Sequence, residues 1–178
     1  LTITTTTDLA NTAIPVVVGI ENINVNFTGV DAGADATASM DADNIRSGNI
    51  TVAATRAGNV ITTADVNDVQ TGVTVTSALA TIDVSTAANA DVTVVGTRAA
   101  GTTVAQSGTA DTLTVETVGN FTTTAMTAEE AVTITAGGTV SIEDAAANAA
   151  GTDVAYTITA GGAINIVDIT DTGSLSAT

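Results

Sequence analysis

Cysteine, histidine, tryptophan and lysine are all missing from this 178-residue chain, and proline occurs once, at Pro15. Each absence removes a chemistry. Without Cys there is no disulfide and no thiolate, and without His, Cys or Lys no Ser-His, Cys-His or Ser-Lys pair can form. Only Arg46, Arg56 and Arg98 stand against nineteen Asp and Glu, a formal charge of -16. Phosphate backbones are bound by clustered cations, so nucleic acid is a poor partner, and attraction to an anionic bilayer fails for the same reason. Long hydrophobic runs are missing too. Although 44% of residues are apolar, the longest run, Ala13 to Val18, is interrupted by Pro15 and falls far short of a membrane span. Aromatics amount to Phe27, Phe121 and Tyr156. The expected core is therefore thin and built from Ala, Val and Ile dispersed among Thr, Gly, Ser and Asn.

What is present is repetition. Thr133 to Asp144 reads TITAGGTVSIED, and 24 residues later Thr157 to Asp168 reads TITAGGAINIVD. Ile134, Val140 and Ile142 thus correspond to Ile158, Ile164 and Ile166. Apolar residues two apart, such as Ile23 and Val25, Val73 and Val75, or Val92 and Val94, recur along the chain with polar residues between them. Each such pair is the signature of a half-buried strand. They thread into two series. One is Ile50, Val73, Val92, Leu113, Val132 and Tyr156; the other is Ile61, Ile82, Val104, Phe121, Val140 and Ile164. One strand cannot bury such a face alone, and steps of about 20 residues place the missing half of each core on the next turn of a solenoid. The expected fold is all-β: a β-solenoid, a right-handed parallel β-helix with about 20 residues per coil and a length of roughly 35 to 45 Å.

The whole chain, residues 1–178, reads as one domain with no low-complexity linker. Gly72, Gly96, Gly101, Gly137, Gly138, Gly161 and Gly162 are expected at corners. The run from about 29 to 48 reads as an acidic, small-residue loop inserted into one coil, and the Ala-rich stretch 145–150 reads as a loop as well. The absence of an initiator Met at Leu1 suggests an excised piece of something longer.

Candidate sites are few. Sugar hydrolysis needs two carboxylates across a cleft, and Asp65, Asp68, Glu129 and Glu130 are the residues that could supply them. With so few aromatics and cations to support them, the reading is not an enzyme. A hard cation held by oxygens is the more natural chemistry, and Ca²⁺ is the cofactor this composition suggests. Its candidate ligands are Asp31, Asp35, Asp41 and Asp43 in the acidic run. Glu143, Asp144, Asp168 and Asp171, which follow strands of the twin repeats, form a second set. Neither set has EF-hand or GGxGxD spacing, and the competing reading is a solvated acidic surface. Asn26-Phe27-Thr28, Asn49-Ile50-Thr51 and Asn120-Phe121-Thr122 match the N-glycosylation acceptor pattern, which chance also produces in a chain so rich in Asn and Thr.

The segment Gly19 to Val25, GIENINV, followed by short Thr- and Ala-rich strands, resembles bacterial surface-layer proteins of the type-I-secreted, calcium-dependent kind. That resemblance implies an extracellular structural protein at the cell surface which self-assembles into a layer, sheath or filament. Its partners would be further copies of itself and a cell-surface polysaccharide. Two other readings stay open. A phage decoration or fibre protein would be recovered in virions, and a β-helical adhesin or autotransporter-type passenger would bind sugars or host receptors.

Overall fold

The computed structural model describes residues 1–6, 16–28, 37–54, 62–143, 145–147, 154–167, 169–170 and 172–178. Every strand pairing among them is parallel, and coils of about 22 residues stack into a β-solenoid. That coil length lies close to the spacing of about 20 residues expected from the sequence.

Three sides can be followed from coil to coil. The first is built from β1 (Thr2–Thr5), β2 (Asn22–Phe27), β4 (Gly48–Ala54), β6 (Val73–Ser77) and the second half of β7 (Thr81–Gly96). It continues through the second half of β8 (Thr102–Thr117), then β10 (Thr127–Ala136), β13 (Val154–Ala160) and β16 (Thr172–Ala177). At about 4.8 Å per strand this stack is about 38 Å long. The second side carries β3 (Thr37–Asp41), β5 (Thr63–Val69), the first halves of β7 and β8, β9 (Phe121–Ala125), β11 (Val140–Ile142) and β14 (Ile164–Ile166). The third is narrow. There Ala90, Ala110, Ala128 and Ala147 follow one another in register, and β12 (Ala145–Ala147) pairs with β15 (Ile169–Thr170).

Alternation explains why each stretch is a strand. Residues of β6 are buried at Val73, Val75 and Ser77 and half-buried at Thr74 and Thr76, so one set fills the lumen and the other faces out. In-register columns result. Val73, Val92, Leu113, Val132 and Tyr156 stack through five consecutive coils, and beside them run Val75, Val94, Val115, Ile134 and Ile158. The twin repeats lie one on the other: Ile134 pairs with Ile158, Val140 with Ile164 and Ile142 with Ile166. All three aromatics are fully buried in this core. The chain changes direction at left-handed backbone positions, Asp68 (φ 55), Asn89 (φ 57) and Gly108 (φ 83), residue types for which that conformation is cheapest.

Four sequence expectations change. The stretch 29–48 is not wholly a loop: Thr37–Asp41 is strand β3, with Ala38 and Met40 buried and Ala42 and Ile45 buried beyond it. Ala and Met at the inward positions disguise the alternation that Val and Ile announce elsewhere. Ala145–Ala147 is likewise a strand rather than a loop, pairing in parallel with β10 at Ala146 and Ala147 and with β15 at Ala145 and Ala146. Ile50 pairs with Val75 rather than Val73. Finally, Phe121 stacks on Thr102 and not on Val104, which pairs with Thr123. Thr102 and Thr123 are buried, so two hydroxyl residues occupy lumen positions that the pattern assigned to apolar ones. Ile61 lies outside the described residues.

Candidate functional site

Among the described residues the candidate carboxylates do not converge. Of the eight proposed cation ligands, Asp31, Asp35, Asp144, Asp168 and Asp171 lie outside the described residues. Asp41 and Asp43 are half-buried at the end of β3, where the Asp43 N–H donates to Asp41 Oδ1 at 3.0 Å. Glu143 is exposed after β11, five strands further along the second side and so about 24 Å away. Its counterpart one coil on is Val167, an apolar residue that is 77% exposed. Among the described residues no group of three or more acidic side chains is placed to hold a metal ion.

The carboxylates singled out for hydrolysis also lie apart. Asp65 is on β5 and Asp68 at the corner that ends it, whereas Glu129 and Glu130 sit on β10, several coils away. Asp65 has a closer acidic neighbour that the sequence did not reveal. Parallel in-register stacking puts Asp83 of β7 directly beside it. Asp65 is well supported: Ser39 Oγ donates to its Oδ2 at 2.7 Å and Asn67 Nδ2 to its Oδ1 at 3.1 Å. Asp83 is pushed above the ordinary carboxylate value, first by burial and then by the charge of Asp65, with a hydrogen bond from the Val84 backbone opposing both.

The outer surface is dominated by hydroxyls. On the first side Thr74, Thr93, Thr114, Thr133, Thr157 and Ser176 form one unbroken register column. On the second, Thr37, Thr63, Thr81, Thr103, Thr122 and Ser141 form another. Cross-coil contacts such as Thr76 Oγ1 to Asn49 Oδ1 (2.7 Å) and Thr112 Oγ1 to Asp91 Oδ1 (2.6 Å) tie these surfaces together. Of the glycosylation triplets, Asn26 and Asn49 are half-buried within strands while Asn120 is exposed at a corner; Phe27 and Phe121 between their Asn and Thr are core residues.

Two features escaped sequence reading. Gln106 is buried at a lumen position that Val84 fills one coil earlier. Its Nε2 donates to Thr86 Oγ1 (3.2 Å), the Ser107 carbonyl (2.9 Å) and the Gly108 carbonyl (3.1 Å), while its Oε1 accepts from the Thr127 N–H (2.6 Å). One side chain thereby joins three successive coils at their corner. The second feature is a polar cleft beside the turn at Arg98, of about 260 Å³. A chain with three arginines gives no pattern from which either could be found.

The terminal strands are open. Among the described residues β1 pairs only with β2, and β16 only with β13. Leu175 continues the lumen column above Tyr156, yet it is 50% exposed where Tyr156 is 1%.

Fold and surface together define the class: a parallel β-solenoid with an aliphatic lumen and hydroxyl-lined sides. No family model matches the chain, and no curated protein or solved structure matches it either.

Proposed function

We propose that this chain is an extracellular structural module that self-associates into a surface layer, sheath or filament, using the strand edges of its terminal coils and its hydroxyl-lined sides as contact surfaces. The observation that carries this reading is the open rung at β16. Leu175 occupies a lumen position with half its surface in water, and covering a side chain of that kind is worth about 1 kcal/mol or more. A further coil of the same design, from another copy or from a continuation of the chain, covers it and satisfies the strand edge at once. The GIENINV segment supports the same reading. Gly19 turns the backbone (φ 73) and Ile23 and Val25 enter the lumen, so the segment that resembles surface-layer proteins opens a coil of the solenoid.

Electron micrographs of the purified chain and of intact producing cells test the proposal, with a regular lattice, sheath or filament expected. Amide exchange should then be slow at Thr2–Thr5 and Thr172–Ala177 in the assembled material. Fast exchange at both strands in the assembled state would sink the proposal, as would a chain that stays monomeric at every concentration reached.

A further inference from the structure

We propose that the cleft beside Arg98 is a binding site for a sugar that carries a carboxylate, of the uronic acid class. It lies where the chain passes from the first side to the second, and its walls include Arg98, Gly101, Asn120 and the hydroxyl residues Thr81, Thr103 and Thr122. In a chain of charge -16, a guanidinium at a concavity is the feature that asks for a ligand. Arg46 and Arg98 are both exposed, but Arg46 donates to Gln70 Oε1 at 3.3 Å, whereas Arg98 stands in the wall of the cleft.

The groups are held before any ligand arrives. Arg98 Nη1 donates to the carbonyl of Gly101 at 3.0 Å, inside a turn closed by the Gly101 N–H on the Arg98 carbonyl at 3.1 Å. Anchoring one N–H leaves the rest of the planar fork for an incoming carboxylate. Asn120 is fixed as firmly. Its Oδ1 accepts from the Thr139 N–H at 2.9 Å, and its backbone carbonyl accepts from the Thr102 N–H at 2.8 Å. Gly101 adopts φ +113, and a Cβ there would stand 3.0 Å from both the Cβ and the carbonyl oxygen of Asn120. Gly138 closes on the Asn120 carboxamide from the next coil in the same way. With Oδ1 committed, the Nδ2 donor of Asn120 remains for a ligand oxygen. Thr81, Thr103 and Thr122 stand in register on three successive strands, a row of half-buried hydroxyls spaced about 4.8 Å apart.

The composition of the walls selects the ligand class. One planar guanidinium matches one carboxylate, and on a chain of charge -16 a singly charged carboxylate meets less repulsion than a phosphate dianion. The hydroxyl row and the Asn120 amide have no use for a simple carboxylic acid but complement the hydroxyls of a sugar ring. No aromatic side chain lines the cleft, so recognition rests on hydrogen bonds and charge. A volume of about 260 Å³ is below the usual range for drug-sized ligands and suits a single sugar unit.

The test is a titration of the isotope-labelled chain with glucuronate, glucose and acetate, followed by amide chemical shifts and calorimetry. Saturable shifts centred on Gly101, Thr103, Asn120 and Thr122 are expected with glucuronate, and binding of glucose and acetate should each be weaker by roughly tenfold or more. Arg98→Gln should weaken glucuronate by roughly 10- to 100-fold with an unchanged circular dichroism spectrum, while Arg46→Gln leaves it as it was. Thr103→Val, which suits a strand, should weaken glucuronate and leave acetate unaffected. Equal glucuronate binding by the Arg98→Gln protein overturns the site. Acetate bound as tightly as glucuronate overturns the sugar, and shifts that never saturate overturn both. None of these readouts depends on assembly, so this site and the self-association reading fail separately.

Discussion

A carboxylate that is partly buried and stacked on another carboxylate resists ionisation, and Asp83 beside Asp65 is in that position, with burial the larger cause. Its folded pKa lies above the unfolded one, so the folded state holds the proton more tightly. The contribution to stability is fully present below the unfolded value and is lost as pH rises through the folded one. Asp83→Asn should therefore raise the melting temperature at pH 7, by roughly 1–3 °C, and the gain should vanish near pH 3. A gain that is the same at both pH values would show that charge is not its source. Tyr156 is the opposite case, a neutral group with an unmet need. Its hydroxyl is buried and has no hydrogen-bond partner among the described residues, and burial raises its pKa. Removing the oxygen removes a desolvation cost, so Tyr156→Phe should stabilise the fold by about 1 kcal/mol in urea melts. A loss of stability would mean that the hydroxyl is satisfied in solution.

At the scale of strands and corners, the sheet sides are held by repetition and the corners by exceptions. Gln106 is the clearest exception. It serves groups on three coils; with Leu in its place Thr86 Oγ1 still donates to the Ser107 carbonyl, but the Thr127 N–H loses the acceptor that Gln106 supplies. Gln106→Leu should cost about 2–3 kcal/mol by chemical denaturation, more than Val84→Ala in the same column position one coil earlier. What the sequence made legible follows the same division. Val73, Val92, Leu113, Val132 and Tyr156 could be aligned from spacing alone because β-branched and large apolar residues mark the lumen on the first side. Where Ala38, Met40, Thr102, Thr123 or Gln106 takes a lumen position, polar and small residues appear on both faces and the period-two signal fades. Strand β3, strand β12 and the two-residue offset at Phe121 were hidden for that reason. The Arg98 cleft was hidden for another. Its parts come from three coils and converge only when the register is known.

For the whole molecule, charge and shape pull in different directions. Open strand edges and the half-covered Leu175 favour stacking of further coils, while a charge of -16 on every copy opposes it. Screening should decide the balance. Association measured by light scattering should rise steeply as NaCl goes from about 0.01 M to about 0.5 M, since the Debye length falls from about 30 Å to about 4 Å. Association that weakens with salt would point instead to contacts made by attraction between charges.

The parallel stacking has a mechanical consequence as well. Among the described residues each coil is bonded to the coils above and below it, and the bonds between coils run along the rod. A pull on the two chain ends therefore loads one terminal coil at a time. Stretching a single molecule should release it stepwise, each step paying out one coil of about 22 residues, or about 75 Å of extended chain. A sawtooth at that interval is the expected trace, and one abrupt release of the full length would show the coils to fail together. A rod of this kind yields by unwinding, and it gives up length gradually where a globular domain would give up everything at once.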